Sequence, residues 1–171
     1  MGVVVAPKLL TLVMVLDQPG RRILLGKKKR GFGAGYFNGF GGKVEAGETV
    51  SEGAARELRE EAGVSASDAR RCGVLHFHFD DNPQPWEVHC YTCSAEGLDG
   101  VPVESDEMAP EWFPTDAIPY DRMWADDPTW YPLMLAGKLF EGEFHFTQTT
   151  TLVRGDATEV DELPPPTGRD A

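Results

Sequence analysis

Basic side chains are in short supply in this chain: 16 Lys and Arg stand against 28 Asp and Glu, which leaves a formal net charge of -12. That deficit excludes a general nucleic-acid binder, because duplex affinity depends on clustered cations that neutralise phosphates. Cysteine is scarce too. Cys72, Cys90 and Cys93 are an odd number without the spacing of a disulfide framework, which favours a reducing interior. Cys90-x-x-Cys93 falls in a stretch that reads as a strand, where neighbouring thiols point to opposite faces, so buried thiols are expected rather than a zinc pair. Long apolar runs are missing: Leu9 to Leu16 falls far short of the ~20 residues that cross a bilayer. No basic start or small-residue cleavage site marks a secretory signal, and Ala6 stands where a myristoylation pattern requires Ser or Thr. The expected location is the cytoplasm, with the mitochondrion and the nucleus as further compartments. No membrane partner and no stable nucleic-acid partner are expected.

What is present suits one globular domain, since 171 residues with 41% hydrophobic composition can bury a sizeable core. Residues 1–162 are assigned to it as a monomer; residues 163–171, opening on Leu163-Pro164-Pro165-Pro166, are expected to form a disordered tail. Leu9–Leu16 and Arg22–Gly26 flank Gln18-Pro19-Gly20 and read as an opening hairpin. Val74–Phe79 alternates Leu75, Phe77 and Phe79 with His76 and His78, the period of a strand with one aromatic face. His76, His78 and His89 show no ligand spacing that separates them from ordinary strand histidines, and no chemistry is assigned to them. Further strands are expected at Trp86–Cys93, Glu111–Phe113, Phe140–Thr147 and Leu152–Val160. A second helix is expected over Asp127–Ala136, with Asp127 as N-cap, Pro128 at its first position and Pro132 distorting its start.

The most informative stretch is Gly42–Val64, GKVEAGETVSEGAARELREEAGV. Thr49 and Glu52 make a T-x-x-E capping box and Gly63 suits a left-handed C-terminal turn, which predicts a helix over Val50–Ala62. Val50, Ala54, Leu58 and Ala62 form its apolar stripe. Glu57, Glu60 and Glu61, at i, i+3 and i+4, share an arc of about 100°, with Glu57 and Glu61 at the edge of that stripe rather than opposite it. Like charges so placed repel one another. Either a divalent cation neutralises them or the helix is a solvated one laced by pairs such as Arg56 with Glu60.

The string resembles the signature of the Nudix hydrolases: Gly42, Glu48, Arg56, Glu57, Leu58, Glu60, Glu61, Gly63 and Val64 fill every position of the motif. In that reading Gly41 and Gly42 let backbone come close to metal and phosphates, and Arg56 holds Glu48 by a charge-assisted bond. The carboxylates offer oxygens to Mg²⁺, or Mn²⁺. The implied fold is α+β, an α/β/α sandwich with a central mixed sheet flanked by helices.

Further segments resemble the animal MutT-homologue branch of that family: Lys28 to Gly35, Asn38 to Val44, Pro102 to Met108, Met123 to Asp127 and Trp130 to Leu133, with Thr11 in the first strand. That branch hydrolyses oxidised purine nucleoside triphosphates, such as 8-oxo-dGTP and 2-hydroxy-dATP, to monophosphate and pyrophosphate, which cleanses the nucleotide pool and prevents mutation. The resemblance implies that Gly41, through its carbonyl, and Glu57, Glu60, Glu61 and Glu107 hold metal, with Glu48 and Arg56 completing the catalytic set. It places Lys28 and the Phe40-Gly41-Gly42-Lys43 loop along the substrate. Thr11, Asn38, Trp124, Ala125, Asp126 and Asp127 then line the base pocket, with Phe32, Phe77, Phe79 and Trp130 around it. Two positions depart from the branch: Trp86 stands at the pocket margin in place of methionine, and Tyr36-Phe37 replaces a basic-aromatic pair. Asp126 and Asp127, if buried together, would share a proton near neutral pH and so offer one donor and one acceptor. The alternatives are a Nudix hydrolase for an N-methylated purine nucleotide, a dinucleotide or a nucleotide sugar, and a non-catalytic nucleotide sensor.

Overall fold

The computed structural model describes residues 2–171. Its strands are β1 (Lys8–Asp17), β2 (Arg22–Lys28), β3 (Phe37–Asn38), β4 (Ser65–Ala66), β5 (Arg70–Phe79), β6 (Asn82–Ser94), β7 (Leu98–Asp99), β8 (Met108–Pro114), β9 (Phe140–Thr147) and β10 (Thr151–Glu159); the helices are α1 (Val50–Ala62) and α2 (Asp127–Leu135). The main sheet is mixed and runs β10-β9-β5-β6-β1-β2-β3, with β8 on the other flank of β2. β1 lies parallel to β6, and β5 parallel to β9; the other named pairings are antiparallel. β4 and β7 form a small separate ribbon.

Alternation along β1 builds the two faces. Val13 and Val15 meet the stripe Val50, Ala54 and Leu58 of α1, while Met14 and Leu16 pack with Trp130, Tyr131 and Met134 of α2. This is an α+β arrangement of a mixed sheet with a helix against each face. Leu58 is 1% exposed, and burying such a side chain stabilises the fold by about 2 kcal/mol. The capping box is formed: Glu52 N donates to Thr49 Oγ1 at 3.1 Å and Thr49 N to Glu52 Oε1 at 3.3 Å. Gly63 closes the helix at φ 71° and donates to Arg59 O.

Two expectations need correction. The N-cap of α2 is Asp126, so Asp127 is already helical, and neither carboxylate caps the helix with a side-chain bond. Pro132 lies inside that helix; it deprives a carbonyl one turn back of its usual N–H partner without ending the helix. The proline-rich tail, expected to be disordered, is docked: Arg71 Nη1 donates to Pro164 O at 2.9 Å, Thr167 donates to both oxygens of Glu87, and Val50 N donates to Asp170 O at 3.1 Å. Composition alone misses these polar partners, because they lie far away in the chain.

Candidate active site

The loop before α1 runs antiparallel beside β1. Val13 and Phe40 exchange backbone hydrogen bonds, and Thr11 N donates to Gly42 O at 2.9 Å. Glycine is required where the two backbones nearly touch: a Cβ at Gly41 would lie 1.8 Å from Thr11 O, and one at Gly42 would lie 2.5 Å from Glu57 Oε1. That proximity lets Gly41 N donate to Glu61 Oε1 at 2.7 Å, so loop and helix meet at the carboxylates.

Arg56 organises the acidic side. Its Nη2 and Nε donate to the two oxygens of Glu48 at 2.7 and 3.1 Å, its Nη1 to Glu57 at 3.0 Å and Glu60 at 3.2 Å, and its Nη2 also to Lys43 O at 3.0 Å. The Arg56 bond holds the Glu48 carboxyl below the usual range. Glu57 and Glu61 behave in the opposite way. Burial pushes the Glu61 carboxyl up to about 8; the Gly41 bond opposes this, the Glu57 and Glu107 charges add to it, and Lys28 lowers it slightly. Burial also raises Glu57, against the pull of Arg56. Hard oxygen donors that repel one another in a partly desolvated place are a donor set suited to a divalent cation.

The structure thus gathers Glu57, Glu61, Glu107 and Gly41. Glu60 stands further out, with its side chain 54% exposed and paired to Arg56. Arg56–Glu60 is thus a surface pair, while Glu57 and Glu61 face inward. Within the basic stretch Lys27-Lys28-Lys29-Arg30, Lys28 reaches the cavity, whereas Lys29 is tied to Glu104 at 2.7 Å and Ser105 O at 2.9 Å, and Arg30 approaches Glu107 at 3.7 Å. Ser105 Oγ donates to Glu61 O, which fastens the Glu107 loop to the end of α1.

Beside the carboxylates opens a cavity of about 430 Å³, within the range of small-molecule sites. Phe32, Phe77, Phe79, Trp86, Trp124 and Phe146 contribute aromatic walls, and Thr11, Asn38, Asp126 and Asp127 contribute polar groups. Phe32 stacks on Trp124 with centroids 5.1 Å apart, and Trp86 packs edge-on against Phe32 and tilted against Phe79. At the cavity floor Trp130 Nε1 donates to Asp126 Oδ2 at 2.9 Å. Burial raises the Asp126 carboxyl to about 6, and burial together with the Asp126 charge raises Asp127 well above the usual carboxylate range. Burial and mutual repulsion therefore favour one proton held by the pair near neutral pH. Thr11 Oγ1 and Asp127 Oδ2 are buried polar atoms without a partner among the described residues.

Two expected substrate residues lie elsewhere. Phe40 is fully buried in the α1-side core, so only its backbone serves the loop; Ala125 is exposed and does not line the cavity. Other wall residues were not anticipated as site residues: Leu10, Leu12, Tyr36, Phe146 and Thr149 line it as well. The alternation of Phe140, Phe144 and Phe146 in the late strand was the available signal for Phe146.

Residues 7–134 match the NUDIX domain. The chain belongs to the Nudix family. Nudix hydrolases use divalent metal ions. This Nudix chain is 49% identical over 156 residues to the oxidized purine nucleoside triphosphate hydrolases of Danio rerio and Mus musculus, covering 91% of this chain and 97% of each relative. In fold it is similar to a MutT protein from Bacillus halodurans, with a TM-score of 0.75 at 26% identity over 88% of this chain and 97% of that one.

Proposed function

We propose that this Nudix hydrolase acts, with Mg²⁺, on purine nucleoside triphosphates whose base is oxidised, releasing the nucleoside monophosphate and pyrophosphate. The observation that carries this reading is the buried Asp126–Asp127 pair in the cavity, where burial and mutual repulsion favour a single shared proton and Asp127 Oδ2 has no partner among the described residues. An ionised acid accepts from a ring N–H and a protonated acid donates to a ring carbonyl. A guanine-type base presents both on its N1–H and O6 edge, and the aromatic walls cover its flat faces. The names of the relatives at 49% identity point to the same substrate class.

Glu57, Glu61, Glu107 and the Gly41 carbonyl would hold the metal, with Glu60 as an outer carboxylate. When bound, the ion supplies charge neutralisation at the phosphates and acidifies a coordinated water. The chain's residues do the rest. Arg56 fixes Glu48 and aims Glu57; Lys28 and Lys43 draw the polyphosphate toward the carboxylates; Gly41 and Gly42 keep that path free of side chains. Glu61 and Glu107 are the carboxylates placed to take the proton of the attacking water. Removal of damaged nucleotides before polymerisation follows as the cellular role, in the cytoplasm.

A turnover panel tests the reading: 8-oxo-dGTP, 2-hydroxy-dATP, dGTP, dATP, ADP-ribose and a diadenosine polyphosphate, each with Mg²⁺ and each scored for monophosphate and pyrophosphate. Preference for the oxidised triphosphates is expected. Preference for dGTP, dATP or either dinucleotide-type substrate would overturn it.

A further inference from the structure

Three of the four histidines of the chain lie on the face of the β5–β9 pair that looks away from the aromatic cavity. In the parallel register His76 lies beside Glu143 and His78 beside His145. Neither the Nudix carboxylates nor the base cavity uses any of them. Glu143 Oε1 lies 3.1 Å from His78 Nε2 and 3.5 Å from His145 Nε2, and one ligand atom from each of the three residues falls within 4.8 Å of the others. Two donors bound to one tetrahedral ion at about 2.0–2.1 Å stand about 3.3 Å apart. The spacings from Glu143 to the two imidazoles bracket that value.

We propose that His78, Glu143 and His145 bind a divalent transition-metal ion of the zinc, nickel or copper(II) class, with solvent completing the coordination. The donor types favour this class: two imidazoles and one carboxylate suit borderline ions, whereas the all-oxygen Nudix site suits Mg²⁺. The strands hold the donors in place, because residues two apart on β9 and directly paired residues on β5 and β9 project from one face. The imidazole rings stack with centroids 4.5 Å apart at 13°. Their side chains are 38% and 31% exposed, so either ring can turn about χ2 to aim its Nε2 at a shared ion. A cation held between them is compatible with this stack, while two positively charged rings so close would repel.

Such an ion would clasp β5 to β9. Phe77, Phe79 and Phe146, which alternate with these ligands on the same strands, wall the cavity on the opposite face. The ion thus steadies a wall of the base pocket from behind without touching substrate.

Calorimetric titration of the full chain with Zn²⁺, in excess Mg²⁺ to occupy the Nudix carboxylates, tests the site. The unmutated protein is expected to take up one zinc more than the H78A/H145A double variant, and E143Q to bind that zinc more than about tenfold more weakly. Zinc should raise the Tm of the unmutated protein more than that of the double variant. Equal zinc uptake by both proteins would overturn the proposal. In the unmutated protein, the ring C–H signals of His78 and His145 should respond to the first equivalent of zinc in NMR spectra while those of His89 stay in place. Unresponsive His78 and His145 signals would overturn it regardless of how the variants fold.

Discussion

Arg56 grips both oxygens of Glu48, at 2.7 and 3.1 Å, and with its remaining nitrogen reaches Glu57 at 3.0 Å. One guanidinium therefore ties the loop before α1 to the inner carboxylate of that helix. The planar fork explains why arginine serves here: a lysine can meet one partner well, but not this spread of acceptors.

Arg56→Lys is accordingly expected to lower kcat by tenfold or more, since Glu57 loses its fixed orientation. The stability loss should be smaller, about 1–2 kcal/mol, because the pair is partly solvated. Urea unfolding and steady-state kinetics on one preparation separate the two effects. Unchanged kcat would detach Arg56 from the aiming of Glu57.

Asp126→Asn replaces an ionisable carboxyl with a neutral amide and ends the proton sharing with Asp127. The kcat/KM for 8-oxo-dGTP relative to dATP, whose N1 carries no proton, should fall by about tenfold or more, near 1.4 kcal/mol of discrimination. An unaltered ratio in a folded variant would remove this pair from base recognition.

The same substitution makes a prediction about stability and pH. The folded Asp126 carboxyl is raised to about 6 from 3.8, so its contribution is fully present below the unfolded value and is lost as pH rises through about 6. Asp126→Asn lacks that loss. Its stability relative to the unmutated protein should improve between pH 4 and pH 7.5 by on the order of 2–3 kcal/mol. Denaturant unfolding at the two pH values reads the difference directly; a difference that shrinks toward pH 7.5 would contradict the assignment.

The docked tail supplies a prediction far from the cavity. Arg169 Nη1 donates to Glu45 O and Glu48 O, so the tail holds the loop whose Glu48 in turn holds Arg56. Arg169→Ala should reduce kcat severalfold with little change in KM. A deletion of residues 163–171 should reproduce the effect and lower Tm, since Glu87 then loses both Thr167 bonds. Wild-type kcat after the deletion would show that the tail is ornamental to the loop.

Local features were legible in the sequence. The capping box, the stripe of α1, the opening hairpin and Phe140–Thr147 each rest on contacts within a few residues, and the acidic motif carries its own spacing. What stayed hidden depends on approach between distant segments. Phe40 belongs to the core because its loop lies down on β1, a pairing that composition does not encode. The tail looked unstructured because its proline content is visible while its partners, Arg71, Glu87 and the start of α1, are not its neighbours in the chain. His78 showed no ligand spacing because His145 comes beside it only through the parallel pairing of β5 with β9, across more than a third of the chain.

Metal-stripped protein returned stepwise to Mg²⁺, with 8-oxo-dGTP hydrolysis followed at each step and Glu61→Gln run in parallel, probes the carboxylate centre most directly. Hydrolysis should be silent without the ion, rise to saturation as it is restored, and remain at least about a hundredfold lower in Glu61→Gln, in keeping with the loss of a group acting on the reacting water. Full turnover under excess chelator, or an unimpaired Glu61→Gln enzyme, would contradict a mechanism built on these acids.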